Sequence, residues 1–470
     1  MSRILLRAGR SPLDALDATA SIDYVPGGTF AGNIGNLMFS GAVHRILSTN
    51  DADVVSNAYL GERRGVTQAY LDRVNADFDH FVIPLANAFR PGFTDTLKRL
   101  TRTIEGLRIP ATVVGVGVGG TVSSLAGECG TASGELKRLV RRFMDAVLDR
   151  SARVGVRGDQ TRQFLRGLGY GDEHVQVIGC PSLFRYGANL RVSKPSARLT
   201  TDDPIAINIT PSVEEMHECS ARHASIYRRL VYIPQDIATL RVLLSGTNPK
   251  RFDPKMPTYT GHPFYRDNRM ISFTDSPSWI AFMRTLRFCF GTRVHGNFAA
   301  IVAGTPAVVL VHDKRTLELV EYFDLPYRYA WEATHLDAAD LYEDADFTRL
   351  NSGHADRFRT FLAFLRENGL ETIFDPGKEN PDYDRHLAAV PPVLPLRPKD
   401  GARRPAGPTE WIRRTLWRNT YRFSAAVPHA PRSVVDVVAS RIARKLLMRM
   451  DDRRDANLSP ASRTATAGTA

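Results

Sequence analysis

The stretch Phe288–Leu325, FCFGTRVHGNFAAIVAGTPAVVLVHDKRTLELVEYFDL, decides how this chain folds. It opens on an apolar run, FCF, short enough for a buried strand and closed by a glycine. A polar turn with Arg293 and His295 follows, then a helical stretch, then a second apolar run, PAVVLV. The next polar turn carries His312, Asp313, Lys314 and Arg315. Strand, turn, helix, strand, turn is the unit of a parallel α/β sheet with right-handed crossovers. Ligands of such sheets bind in the crevice outside the carboxyl ends of the strands. Both cationic turns fall there, so the stretch predicts a site for a small, strongly anionic ligand.

The same alternation runs outward in both directions. Between residues 23 and 187, Asn33–Leu47 reads as a helix entered through the glycine-rich turn GGTFAGNIGN, and Asp53–Ser56, His80–Leu85 and Ala111–Val118 read as buried strands. Glu135–Ser151 has helical spacing; Ala152–Val156, a helix start at Gly158–Thr161, and Val175–Ile178 form a compact β-α-β unit. Ile4–Leu6 is a first strand or a disordered lead-in. Residues 191–204 are polar, lack periodicity and predict a linker. A second alternating unit follows, with strands at Ile205–Ile209, Val231–Ile233 and Met270–Phe273. The expected fold is α/β: a Rossmann-like domain over 1–190, the linker 191–204, and a second Rossmann-like domain with the anion site over 205–375.

Residues 376–470 change character. Residues 391–408 form a proline-rich, extended linker. Ser433–Met450 places Val434, Val438, Ile442, Leu446 and Met450 four apart among basic residues. Such a helix lies on an anionic membrane face, or packs its apolar stripe on the protein's own body or a partner chain. Residues 456–470 read as disordered.

The net charge of +12 invites a nucleic-acid reading, but its distribution argues against one. Residues 401–470 hold fourteen Lys or Arg against five acids, which is nine of those twelve charges. A basic appendage on a nearly neutral body suits an anionic surface. No run of eighteen apolar residues predicts a membrane-spanning helix, and the N-terminus lacks a signal-peptide pattern. Cys129, Cys180, Cys219 and Cys289 have no metal-ligand spacing and fit a reducing cytoplasm. Cytoplasmic location, peripheral at the inner membrane face, is the expectation.

Three clusters carry chemistry. A guanidinium grips carboxylate or phosphate through two parallel hydrogen bonds, which suits Arg293 to an anion. His295, two residues on, holds or delivers a proton near neutral pH. Taken alone, the pair also reads as an arginine capping a carbonyl and a satisfied core histidine. Arg157 follows the strand run RVGV and precedes a helix start, where backbone N–H groups favour anions; its alternative is a salt bridge to Asp159. His312, Lys314 and Arg315 read as ligand contacts or as a solvated turn. The glycine runs at 27–36 and 113–120 lack the spacing or the acid of a dinucleotide fingerprint. No metal site, acyl-serine motif or P-loop is present, so no metal or cofactor is expected.

Together, GTRVHGNFAAIVAGTPAVVLVHDKRTLELVEYFDLP (291–326), VGVRGDQTRQFLRGLG (154–169), VIGCPSLF (177–184) and GNIGN (32–36) resemble the polysaccharide pyruvyl transferase family. The resemblance covers about residues 30–375. It implies two glycosyltransferase-B-like domains facing across a cleft. It also implies transfer of the enolpyruvyl unit of phosphoenolpyruvate to a sugar, closed into a cyclic ketal. Arg157, Arg293, Val294 and His295 match the family's phosphoenolpyruvate-binding residues, and Asn33, Gly35 and Asn36 match its N-terminal loop. Where relatives carry an acid, this chain has Asn36. The implied roles give Arg293 and Arg157 the anionic groups and His295 the proton. The implied partner is a sugar or lipid-linked oligosaccharide acceptor of a cell-surface polysaccharide. Two other classes remain open on the residues alone: a nucleotide-sugar glycosyltransferase and a non-catalytic glycan-binding protein. The first lacks a dedicated acid or stacking aromatic pattern here; the second would release no phosphate.

Overall fold

Apolar runs bounded by glycine and polar turns become parallel strands, because only strands buried on both faces sustain unbroken hydrophobic runs. A computed structural model of the chain describes residues 1–23, 28–62, 66–120, 133–333 and 335–398. In chain order the first half carries β1 (Ser2–Leu6), β2 (Ala52–Ser56), β3 (His80–Pro84), β4 (Asn87–Phe89), β5 (Ala111–Val114), β6 (Gly117–Val118), β7 (Val154–Val156) and β8 (Val175–Val177). The main sheet has the order β2-β1-β3-β5, all parallel, so Ile4–Leu6 belongs to an inner strand. β4 pairs with β6, and β7 pairs with β8. A single bridge between Val116 and Val156 ties the β7 pair to the rest.

The second half carries β9 (Ile205–Asn208), β10 (Leu230–Tyr232), β11 (Phe288–Gly291), β12 (Ala307–Val311) and β13 (Tyr327–Tyr329). They form one parallel sheet of order β10-β9-β11-β12-β13. Two parallel sheets with crossover helices give the glycosyltransferase-B-like architecture. Apolar side chains connect them: one buried cluster runs from Ile4 and Leu6 through Phe39 and Leu183 to Phe298 and Leu310. Phe184 alone stacks on Phe361 at 4.9 Å between centroids. Burying a side chain of that size is worth about 1.5–3 kcal/mol.

Several expectations are corrected. Ala111–Val118 is two strands, because Gly115 takes a φ of +75° and turns the backbone between them. The helix expected from Asn33 starts at Asn36. Met270–Phe273 is no strand: Met270 makes one bridge to Tyr232, and the backbone groups of Ser272 pair with Leu396 instead. Residues 191–204 are not a loose tether, since Asn351 bonds both backbone groups of Val192 and Lys194 donates to the carbonyls of Tyr342 and Glu343. The change of character expected from residue 376 does not begin with a linker. The helix Pro381–Ala389 returns to the first half, with Asp384 paired to Arg45 at 2.7 Å and Tyr383 against His44. The packing between the two sheets is continuous, and Met1–Pro405 forms one compact unit. The helix expected over 433–450, the disordered end and most of the proline-rich stretch lie outside the described residues. Among the described residues, no helix is long and apolar enough to cross a membrane.

Candidate active site

Strand order in the second sheet reverses at β9, with β10 on one side and β11 on the other, which makes the carboxyl ends of β9 and β11 the topological switch point where open α/β sheets bind ligands. Asn208 ends β9, and its Oδ1 accepts the backbone N–H of Arg293 at 2.7 Å. Its Nδ2 donates to Asn297 Oδ1 at 3.1 Å, which pins the turn after β11 to the switch point. Arg293 precedes the helix Val294–Val302 and provides no side-chain cap. Its Nε donates to the Ile209 carbonyl at 3.3 Å. Burial lowers the pKa of this guanidinium, with Asp236 opposing.

His295 lies in the first turn of that helix and is only 7% exposed. The helix Asn36–Leu47 of the first half brings its own N-terminus against it. A Cβ on Gly35 would stand 2.9 Å from His295 Cβ, so glycine is what lets the two turns close. That helix too has no side-chain cap. Two helix starts therefore meet at one imidazole, each turning the positive end of its dipole toward it; in the first of them the N–H groups of Gly35, Asn36, Leu37 and Met38 are already taken by Asn33, Ile34 and Gly35. His295 Nε2 stands 3.6 Å from Cys180 Sγ, and the ring lies 5.6 Å from that of Phe39. Burial first, then the charges of Arg157, Arg315 and Arg293, hold its pKa well below the ordinary histidine value. At neutral pH the imidazole is uncharged.

Arg157, at the end of β7, is fully buried. Its Nε donates to the Gly115 carbonyl at 2.8 Å, while both terminal nitrogens find no hydrogen-bond partner in the protein. The guanidinium lies 5.8 Å from the centre of the Phe39 ring. The salt bridge to Asp159 does not form; Asp159 pairs with Arg162 at 2.9 Å. A buried donor without an acceptor costs about 1–3 kcal/mol, more when charged. Burial accordingly lowers this pKa, with Cys180 and Glu318 opposing and Arg315 adding to it.

At the end of β12, Asp313 caps the helix Lys314–Phe323 by accepting from the Thr316 N–H at 2.7 Å. It also pairs with Arg315 at 2.9 Å and lies 3.5 Å from His312 Nε2. His312 Nδ1 and Arg315 Nε are buried with no partner in the protein. The Lys314 backbone N–H donates to Gly120.

The fold thus brings Arg157, Arg293, His295 and Arg315 into one electrostatic neighbourhood. Val294 is 4% exposed, its side chain belongs to the apolar core, and its backbone stands at the helix start. The loop side chains hold the loop itself. Asn33 Oδ1 accepts the Gly35 N–H at 2.8 Å, and Asn36 Nδ2 donates to the Phe30 carbonyl at 2.9 Å.

Three residues escaped the sequence reading. Asn208 had a signal, a polar residue closing the apolar run IAIN. Arg90 had little: it stands in a proline-glycine turn, and burial and then Arg315 lower its pKa. Glu318 had none, because a glutamate between leucines on a helix reads as part of a solvated face. It is 1% exposed and accepts from the Thr161 N–H at 3.0 Å and the Thr161 hydroxyl at 2.9 Å. Burial raises its carboxyl to about 7. A Cβ on Gly158 would come within 2.6 Å of Glu318 Cβ, so glycine again permits the close approach of the two halves.

Fold and site together define a two-sheet α/β protein with a buried cationic cluster at a topological switch point. The chain belongs to the polysaccharide pyruvyl transferase family, whose model matches residues 33–314. No curated protein matches it in sequence. Among solved structures it is similar to a UDP-GlcNAc 2-epimerase of Methanocaldococcus jannaschii, at 10% identity over 77% of this chain and 99% of that one, with a TM-score of 0.41. MnaA of S. aureus, solved with UDP, is 12% identical over 79% of this chain and 99% of its own, also at 0.41. A functionally uncharacterised protein of Klebsiella pneumoniae is 12% identical over 68% of this chain and 88% of its own, at 0.34.

Proposed function

We propose that this chain transfers the pyruvyl unit of phosphoenolpyruvate to two hydroxyls of one sugar, forming a cyclic ketal and releasing phosphate. The observation that carries the reading is the convergence at His295 of the positive ends of two helix dipoles with Arg157, whose terminal guanidinium nitrogens have no protein partner. A ligand with a carboxylate and a phosphate supplies the acceptors that these donors lack.

In the reaction a proton adds to the donor's C3 methylene and one sugar hydroxyl attacks C2. Phosphate then leaves with its bonding pair, and the second hydroxyl closes the ring. Each hydroxyl gives up one proton, which balances the proton taken by C3 and the one that leaves with phosphate. Arg157 and Arg293 hold the anionic groups and stabilise charge on the departing phosphate. His295 is the proton donor. Its low pKa in the free protein comes from burial among arginines, and an anionic ligand between those arginines raises it toward a useful range. The acceptor is a sugar of a polysaccharide or its precursor, in keeping with the family.

The test is thermal shift with phosphoenolpyruvate, beside UDP and inorganic phosphate. A ligand at a hundred times its dissociation constant adds about 2.7 kcal/mol of stability. The expected result is a shift specific to phosphoenolpyruvate that disappears in Arg293→Ala. A shift with UDP alone would instead support a nucleotide-sugar glycosyltransferase.

A further inference from the structure

β13 lies at the edge of the second sheet, and the parallel register pairs its last residue, Tyr329, with Val311 of β12. Tyr329 is therefore level with the strand end from which the His312–Arg315 turn departs. Two residues further on, Trp331 stands beyond the carboxyl edge of the sheet, on the same side as the cationic cluster. The two rings are stacked, 4.2 Å apart and 7° from parallel. Tyr327 braces Tyr329 edge-on at 5.8 Å. The Glu332 carboxylate accepts the Tyr329 backbone N–H at 2.6 Å and fixes the turn between the rings. Trp331 is nevertheless 40% exposed, in a protein that buries its other described tryptophan, Trp279, to 1%.

An exposed indole needs no explanation by itself. A pre-stacked pair on a braced turn, at the end of a sheet where ligands bind, is different. Its entropic cost of ordering is already met by the fold, and the outer indole face is a flat apolar surface. Strands lie about 4.8 Å apart, so the end of β13 is about 10 Å from that of β11, where Arg293 and His295 sit. A saccharide of one or two rings spans that gap.

We propose that Tyr329 and Trp331 form the platform on which the acceptor sugar stacks the C–H face of its ring. The platform orients the acceptor so that a neighbouring hydroxyl pair points toward the donor pocket. The inference rests on the pyruvyl-transfer reading for the identity of the ligand, though not for the geometry. It predicts a pyranose with an unhindered C–H face at this subsite, with no attraction from the aromatic pair for a phosphate or carboxylate substituent.

Saturation-transfer NMR with methyl pyranosides of glucose, galactose and mannose tests it on the full-length protein. The wild type should transfer saturation to at least one of them, strongest on the protons of one ring face. Trp331→Ala should weaken that glycoside about tenfold, the effect expected of one lost stacking contact. Trp331→Tyr should restore most of it, and the thermal shift with phosphoenolpyruvate should stay at its wild-type value in both. Undiminished glycoside binding in both Trp331→Ala and Tyr329→Ala would overturn the platform, as would a wild type that binds none of the three. If phosphoenolpyruvate gives no shift in the wild type while the glycoside contact depends on Trp331, the donor reading fails and the platform stands.

Discussion

The two sheets of this protein each have a switch point, and each places an arginine there, yet the two sites are opposites. In the first sheet β1 is flanked by β2 and β3, and Arg7 follows directly after β1. Its guanidinium grips Glu62 through two nitrogens, one at 2.8 Å, and donates a third bond to the Pro84 carbonyl at 2.9 Å. Tyr59 covers it from 5.0 Å. Burial works against its charge, but Glu62 outweighs burial and raises the pKa. At the second switch point, Arg293 of the β11 turn and Arg157, which reaches the site from the end of β7 in the first half, have lowered pKa values and no carboxylate bonded to them among the described residues. One crevice is closed by the protein's own anion. The other leaves both terminal nitrogens of Arg157 buried with no partner in the protein.

The sharpest way to break this comparison is to remove the same side chain from each place. Arg157→Met keeps the volume and discards a buried charge without a bonded counter-ion, so the melting temperature should hold or rise. Turnover should fall about 10³-fold, the upper range for losing one preorganised donor. Arg7→Met leaves Glu62 buried and uncompensated, which costs about 3–5 kcal/mol of stability. Turnover per folded molecule should be unchanged. If both variants melt equally early, Arg157 is a structural arginine and the contrast collapses.

A smaller effect sharpens the role of the imidazole. His295→Gln should reduce turnover about 10²-fold while keeping the phosphoenolpyruvate thermal shift, because a general acid contributes to the reaction more than to donor binding. The pH dependence gives a second reading. A ligand that raises the His295 pKa takes up a proton on binding, so it binds more tightly as pH falls. The wild-type shift should therefore grow from pH 8 to pH 6 by more than that of His295→Gln, whose residual trend reports the ligand's own phosphate. Identical trends in the two proteins would remove His295 as the proton carrier.

Why these residues were legible, and others not, follows from where their information lies. β11, its turn and β12 announce themselves, since apolar runs, glycine punctuation and cations are all local. Arg157 was visible for the same reason, as a cation between a strand and a helix start. β13 was not, because YRY at a sheet edge is three half-buried residues with no apolar run to mark them. The stacked pair Tyr329 and Trp331 went unseen with it. The return of Pro381–Ala389 to the first half was also illegible, since its anchor pairs Asp384 with a residue 339 positions earlier. Glu318 is the extreme case. Nothing within its own helix reveals that Thr161 and Gly158 of the other half bury it.

Glu318 also decides whether Arg157 truly lacks an anion. Its carboxyl is raised to about 7, above an unfolded value of about 4.3. Between those values the folded protein holds a proton that the unfolded chain has released. The stability this group contributes is therefore complete below about pH 4.3 and declines as pH rises to about 7. Glu318→Gln abolishes that decline while keeping an acceptor for Thr161, so the variant should gain on the wild type by up to about 3 kcal/mol between pH 5 and pH 8. If Glu318 were ionised and serving Arg157 as Glu62 serves Arg7, the substitution would instead cost stability at every pH in that range, and the two profiles would run parallel. Chemical denaturation of both proteins across the range separates the cases. Curves that separate as pH rises mean that Arg157 has no protein anion of its own; a parallel pair means that Glu318 serves Arg157 as Glu62 serves Arg7.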